Sequence, residues 1–153
     1  MKCCFTGHRR IPDAMLSPLQ DNLRRMIEQL YRDGVREFRC GGAIGFDTLA
    51  ALAVLEKREE YPDIRLVLML PYRGQANAFT PLQKRCYDEI MQCADEVNIL
   101  SEHYFRGCMF VRNRALVEGS DYCVSFLLYD TGGTKMTVDY AKKMGLKIIN
   151  LGE

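Results

Sequence analysis

Glu37-Phe38-Arg39-Cys40-Gly41-Gly42-Ala43-Ile44-Gly45-Phe46-Asp47 runs from a short strand-like stretch through three glycines into a segment dense in alanine and leucine. The first four residues read as a buried strand. The segment from Gly45 to Glu60, which ends in a charged turn, reads as a helix. A strand that passes through a glycine loop into a helix is the repeating unit of a parallel sheet, because parallel neighbours are joined by crossovers that are usually helical.

The same alternation runs along the whole chain. Further strands are predicted at Lys2–Thr6, Ile64–Leu70, Glu96–Leu100, Tyr122–Leu128 and Lys147–Leu151. Most are near-continuous apolar runs, the pattern of strands covered on both faces. Ser17-Pro18 reads as a cap followed by proline at the first helical position, opening a helix that carries Leu19, Leu23, Met26, Ile27 and Leu30 and closes at Gly34. Thr80-Pro81 repeats that signal for a helix to about Ala94, and Phe110–Glu118 and Thr134–Gly145 complete the set. The expectation is an α/β fold of three layers with a mainly parallel sheet of about six strands, in a single domain over residues 1–153.

Composition narrows the function. Lys plus Arg total 21 and Asp plus Glu total 20, a net charge of +1, which excludes a broad electrostatic attraction to nucleic acid or membrane but not a local basic pocket. No run approaches the length of a membrane span, and the N-terminus lacks the apolar stretch of a signal peptide, so a cytoplasmic protein is expected. The 7 cysteines form no CxxC pair and the 2 histidines, His8 and His103, complete no zinc pattern; no metal is expected, and all seven thiols read as buried and reduced.

In a parallel sheet, ligands bind beyond the carboxyl ends of the strands at a topological switch point. The first strand is followed by Thr6-Gly7-His8-Arg9-Arg10, a tight turn with donors suited to phosphate. Gly41, Gly42 and Gly45 follow the second strand, at a helix start that suits an anion, although their spacing is neither the Walker nor the GxGxxG pattern. Asp47 either caps that helix or accepts from a ribose hydroxyl. The fifth strand leads through Tyr129-Asp130-Thr131 to Gly132-Gly133-Thr134, a second glycine loop at a helix start. Ahead of that strand lie Arg112, Asn113 and Arg114. With Arg9, Arg10 and Arg73 these arginines gather near strand ends.

TGHR after the first strand, GGAxGFDTLAA after the second, RNRxxVExSD before the fifth and GGTxxTVxYA after it resemble the YpsA-type branch of the SLOG superfamily, in matching order over residues 4–145. That superfamily also holds the DNA-processing protein DprA and the LOG enzymes. The resemblance implies a Rossmann-like fold with a pocket for a nucleotide-derived ligand of ADP-ribose type. By the family pattern Gly7, Arg9, Gly42, Gly45, Asp47, Arg112, Asn113, Gly132, Gly133 and Thr134 line it; Thr6, His8 and Gly41 join them as neighbours in the same loops. The LOG loop GG-x-GT-xx-E is not matched by Gly132–Asp139: the GT pair and the glutamate are missing, and Asp139 stands one residue late.

The leading expectation is therefore a domain that binds a nucleotide or a nucleotide-derived ligand, in the manner of a sensor. A hydrolase acting on an N-glycosidic or phosphate bond is the alternative, with Asp47 and Asp130 as catalytic candidates and Asp139 and His8 behind them. A DprA-like single-stranded DNA module is the third reading, with Tyr72, Phe79, Tyr104 and Phe105 as stacking groups. Self-association follows from the likeness to SLOG dimers, and the Thr80–Ala94 helix offers an apolar stripe for it.

Overall fold

Cys3 and Phe5, Phe38 and Cys40, Leu66 and Leu68, and Val124 and Phe126 are pairs two residues apart, and every pair enters one buried apolar cluster. That period of two is the pleat of a strand. In the computed structural model, which describes residues 1–153, these pairs belong to β1 (Lys2–Gly7), β2 (Glu37–Cys40), β3 (Arg65–Leu70) and β5 (Tyr122–Phe126); β4 (Glu96–Ile99) and β6 (Lys147–Asn150) flank them. The order is β4-β3-β2-β1-β5-β6 and every pairing is parallel. Helices α1 (Asp13–Arg32), α2 (Phe46–Glu60), α3 (Pro81–Cys93), α4 (Cys108–Val117) and α5 (Gly133–Lys143) supply the crossovers.

The apolar faces of α1, α2 and α3, including Leu23, Ile27, Ala50, Val54 and Ile90, cover one side of the sheet. On the other side α4 and α5 bring Leu116, Val117 and Ala141 onto Cys4 and Cys123. The arrangement is a Rossmann-like three-layer sandwich. None of its helices is long and apolar enough to cross a membrane.

Helix α1 begins four residues ahead of its expected cap: Pro12 occupies the N-cap and Pro18 lies inside the helix. Ile11 and Met15 pack against the main cluster, and that contact extends the helix upstream of a proline whose ring would otherwise favour a start. The cap expected at Thr80 is present. Its hydroxyl accepts from the Gln83 backbone N–H while the Gln83 side chain accepts from the Thr80 N–H. Strand β5 stops at Phe126, short of the expected Leu128, because side chains take over its backbone: Leu127 N–H donates to Asn150 Oδ1 and Leu128 N–H to His8 Nε2. Cysteine burial also differs from expectation. Cys3, Cys4, Cys40, Cys108 and Cys123 are buried, but Cys86 is half-buried and Cys93 exposed, because both sit toward the outer surface of α3.

Candidate functional site

Strand order reverses between β1 and β5. The chain leaving β1 turns to the α1 side and the chain leaving β5 to the α5 side, which opens a crevice between them. A cleft of about 760 Å³ fills that position. Its lining comes from Thr6 to Arg10 and Pro12 after β1, Ala43 and Asp47 at the start of α2, Met109, Arg112, Asn113 and Leu116 on α4, and Tyr129, Gly133 and Thr134 after β5.

Arg112 is buried at 5% exposure. Its Nε donates to Asn113 Oδ1 (2.9 Å), its Nη1 to the Gly41 carbonyl, and its Nη2 faces Met109 Sδ (3.7 Å). All three partners are neutral, so the cation meets no contacting anion. Burial pulls its pKa down while the charge of Asp47 opposes that pull. Gly107, left-handed at φ 92, starts α4 two residues before the expected Phe110 and so places Met109 one turn ahead of Arg112.

Asp47, also buried, accepts from the Ala43 N–H at 3.2 Å. Burial raises its pKa above the ordinary carboxylate value, against the attraction of Arg112 and Arg9. His8 accepts the Leu128 N–H on Nε2 at 2.9 Å, which fixes its proton on Nδ1, and burial lowers its pKa.

The glycines divide into two groups. Gly7 and Gly133 line the cleft, whereas Gly41, Gly42, Gly45 and Gly132 are not among its lining residues. A β-carbon on Gly41 would meet Arg112 Nη1 at 2.5 Å, one on Gly42 would meet Leu70 at 2.5 Å, and one on Gly45 would collide with the Arg9 carbonyl oxygen. This first loop uses its glycines for close packing, and only Ala43 reaches the cleft. At the second loop a β-carbon on Gly132 or Gly133 would meet nothing within 4 Å. No side chain caps α5 there, so the free N–H groups and the positive end of the helix dipole lie at open space.

Of the arginines expected to gather, Arg9, Arg10 and Arg112 line the cleft. Arg73 instead pairs with Glu102 (2.7 Å), and Arg114 lies over the Tyr140 ring in a shallow neighbouring groove. Asp130 and Asp139 lie outside the cleft and pair with Lys135 at 3.6 and 3.0 Å. Phe79 packs edge-on against Tyr87 and Tyr72 edge-on against Tyr104, all away from the cleft. Tyr129, Met109 and Pro12 are cleft residues that sequence reasoning did not select. Only Tyr129 carried a signal, as an aromatic residue directly beyond a strand end.

Residues 5–148 match the sequence model of YpsA, the YspA SLOG family. The chain belongs to this family. Among its relatives is a UPF0398 protein of Bacillus thuringiensis (strain Al Hakam), 28% identical over 128 residues covering 80% of this chain and 68% of that protein. Another is the uncharacterized SPbeta prophage-derived protein YoqJ of Bacillus subtilis (strain 168), 26% identical over 138 residues, 82% of this chain and 81% of the relative. The chain is also similar in fold to solved structures of DprA. The Streptococcus pneumoniae protein superposes with a TM-score of 0.69 at 17% identity over 97% of this chain. The Helicobacter pylori protein, whose structure concerns its single-stranded DNA binding mode, gives 0.70 at 17% over 98%. The chain spans about half of the first (49%) and 64% of the second. A third structure, TM1055, gives 0.59 at 18% identity. At these identities the likeness is one of fold.

Proposed function

We propose that the cleft binds a nucleotide or a nucleotide-derived ligand, of nucleoside phosphate or ADP-ribose/NAD type, and that the protein acts as a sensor of it. The observation that carries this is Arg112: a buried guanidinium held only by neutral acceptors, in a cleft that the uncapped start of α5 also lines. A buried cation without a contacting anion is costly unless a ligand supplies one. Phosphate at the α5 N–H groups takes charge-assisted hydrogen bonds from Arg9, Arg10 or Arg112, and Asp47 accepts from a ribose hydroxyl.

Isothermal titration with AMP, ATP, NAD and ADP-ribose tests it. Binding of one of these, weakened about tenfold or more in Arg112→Met, supports the reading; absence of heat with all four overturns it. The same titrations, followed by light scattering, test self-association through α3, where Leu82 is exposed.

A second reading rests on Asp47, whose raised pKa inside the cleft suits a general acid or base. In that case the bound nucleotide loses its base or phosphate, and Asp47→Asn abolishes the release while leaving binding measurable. Oligonucleotide binding that falls steeply with salt would instead favour a DprA-like role.

A further inference from the structure

We infer that Tyr129 is the surface on which the ligand's planar ring stacks, so that the cleft selects phosphate esters bearing an aromatic base over the sugar phosphate alone. This rests on the reading of the cleft as a nucleotide site and names the part of the ligand that this reading leaves open.

Four aromatic side chains are exposed: Tyr104, Phe105, Phe110 and Tyr129. Tyr129 alone among them lines the cleft, and it is 62% exposed while doing so. A bulky ring left largely uncovered in a cleft is surface that a ligand can cover.

The ring is also held in place. His8 lies against it with centroids 5.0 Å apart at a tilt of 45°. His8 is in turn fixed twice, by the hydrogen bond from Leu128 N–H and by an edge contact to Phe126 at 6.0 Å. Leu128 is the residue before Tyr129, so the backbone that carries the tyrosine is pinned to the imidazole that backs it. A tyrosine restrained in this way gives up little freedom on stacking, which favours affinity.

Chain position brings the ring and the helix start together. Tyr129 stands four residues before Gly133, where α5 offers its free N–H groups, and a β-carbon on Gly132 or Gly133 would meet no neighbour within 4 Å. A ligand with phosphate at the helix start therefore has the Tyr129 ring beside it in the same cleft, which Arg112 and Asp47 also line. A phosphate ester with a planar base matches that spacing of chemistry. A sugar phosphate would leave the aromatic end empty.

Titrating AMP, ADP-ribose and ribose 5-phosphate into wild type, Tyr129→Leu, Tyr129→Phe and Arg112→Met tests this. The expected result is that wild type binds AMP or ADP-ribose about tenfold or more tighter than ribose 5-phosphate, the range that base–aromatic stacking provides. Tyr129→Leu removes that margin and leaves ribose 5-phosphate affinity unchanged, while Tyr129→Phe keeps it. If Tyr129→Leu binds both classes as wild type does, or weakens both equally, the stacking role is overturned. Should Arg112→Met lose AMP binding while Tyr129→Leu does not, the nucleotide site stands and the stacking role falls. If wild type binds neither AMP nor ADP-ribose, the stacking role falls; if ATP and NAD also give no heat, the nucleotide site falls with it.

Discussion

Arg112 and Asp47 lie buried in one cleft without a hydrogen bond between them, and Gly41 occupies the gap: a β-carbon there would lie 2.5 Å from Arg112 Nη1 and 2.9 Å from Asp47 Oδ2. The two charges attract across that gap but do not neutralise each other by contact, so each keeps hydrogen-bonding capacity for a ligand. Glycine at this position is what allows both side chains to reach the cleft from different helices.

Asp47→Asn should stabilise the folded protein at neutral pH while weakening ligand binding. Burial is the larger influence on this carboxyl and raises its folded pKa above the ordinary 3.8, attraction to Arg112 notwithstanding. The folded chain therefore holds the proton more tightly than the unfolded chain. The contribution of Asp47 is fully favourable below 3.8 and is lost as pH rises through the folded value. Asparagine keeps an oxygen for the Ala43 N–H and removes the charge. Thermal melts should show a Tm above wild type by a few degrees at pH 7, the shift that ~1 kcal/mol gives a chain of this size, shrinking to nothing at acid pH. A lower Tm at pH 7 would mean that the attraction to Arg112 outweighs burial.

The two glycine loops should respond in opposite ways to alanine. Gly45 has φ 78, and a β-carbon added there would run into the Arg9 carbonyl oxygen. Gly45→Ala thus meets left-handed strain of about 1–3 kcal/mol and also a backbone that must move. A Tm lower by on the order of 5–10 °C is expected. Gly133 has ordinary φ and open space around it, so Gly133→Ala should melt at or slightly above wild type, since alanine is the better helix former by roughly 1 kcal/mol. Its AMP affinity should nevertheless fall, because the added methyl stands where phosphate approaches the α5 N–H groups. Unchanged AMP affinity in Gly133→Ala would remove the helix start from the site.

Much of this was legible along the chain, and the exceptions share a cause. Strand positions followed from continuous apolar runs, and Thr80-Pro81 marked α3 because its capping partners lie within three residues of each other. Ser17-Pro18 carried the same local signal, but Ile11 and Met15 found contacts in the core that local rules do not see. Gly41, Gly42 and Gly45 were recognisable as a loop, yet their neighbours Arg112, Leu70 and Arg9 come from remote segments, and only the fold shows how closely they pack. Arg73 likewise reads in the sequence as one of the arginines gathered near strand ends, but Glu102, 29 residues away, holds it in the fold. Tyr129 has no periodicity to betray it; its role is set by His8, across the β1–β5 boundary.

Acid should loosen the rim of the cleft through His8. Its Nε2 accepts from Leu128 N–H, and protonation replaces that acceptor with a second donor. Burial has lowered the folded pKa below the ordinary 6.5. In the unfolded chain the imidazole takes up its proton first as pH falls. The stability tied to neutral His8 is thus complete above 6.5 and is lost as pH drops through the folded value. With only 2 histidines in the chain, imidazole resonances are simple to assign, and His8→Gln identifies them by subtraction. The His8 resonance should titrate below 6.5, and the acid-side loss of Tm in wild type should be reduced in His8→Gln, whose amide oxygen accepts the same N–H without titrating. AMP affinity in wild type should weaken over the same interval and that of His8→Gln should not. A His8 resonance titrating at or above 6.5 would contradict the half-buried, neutral acceptor on which the Tyr129 ring rests.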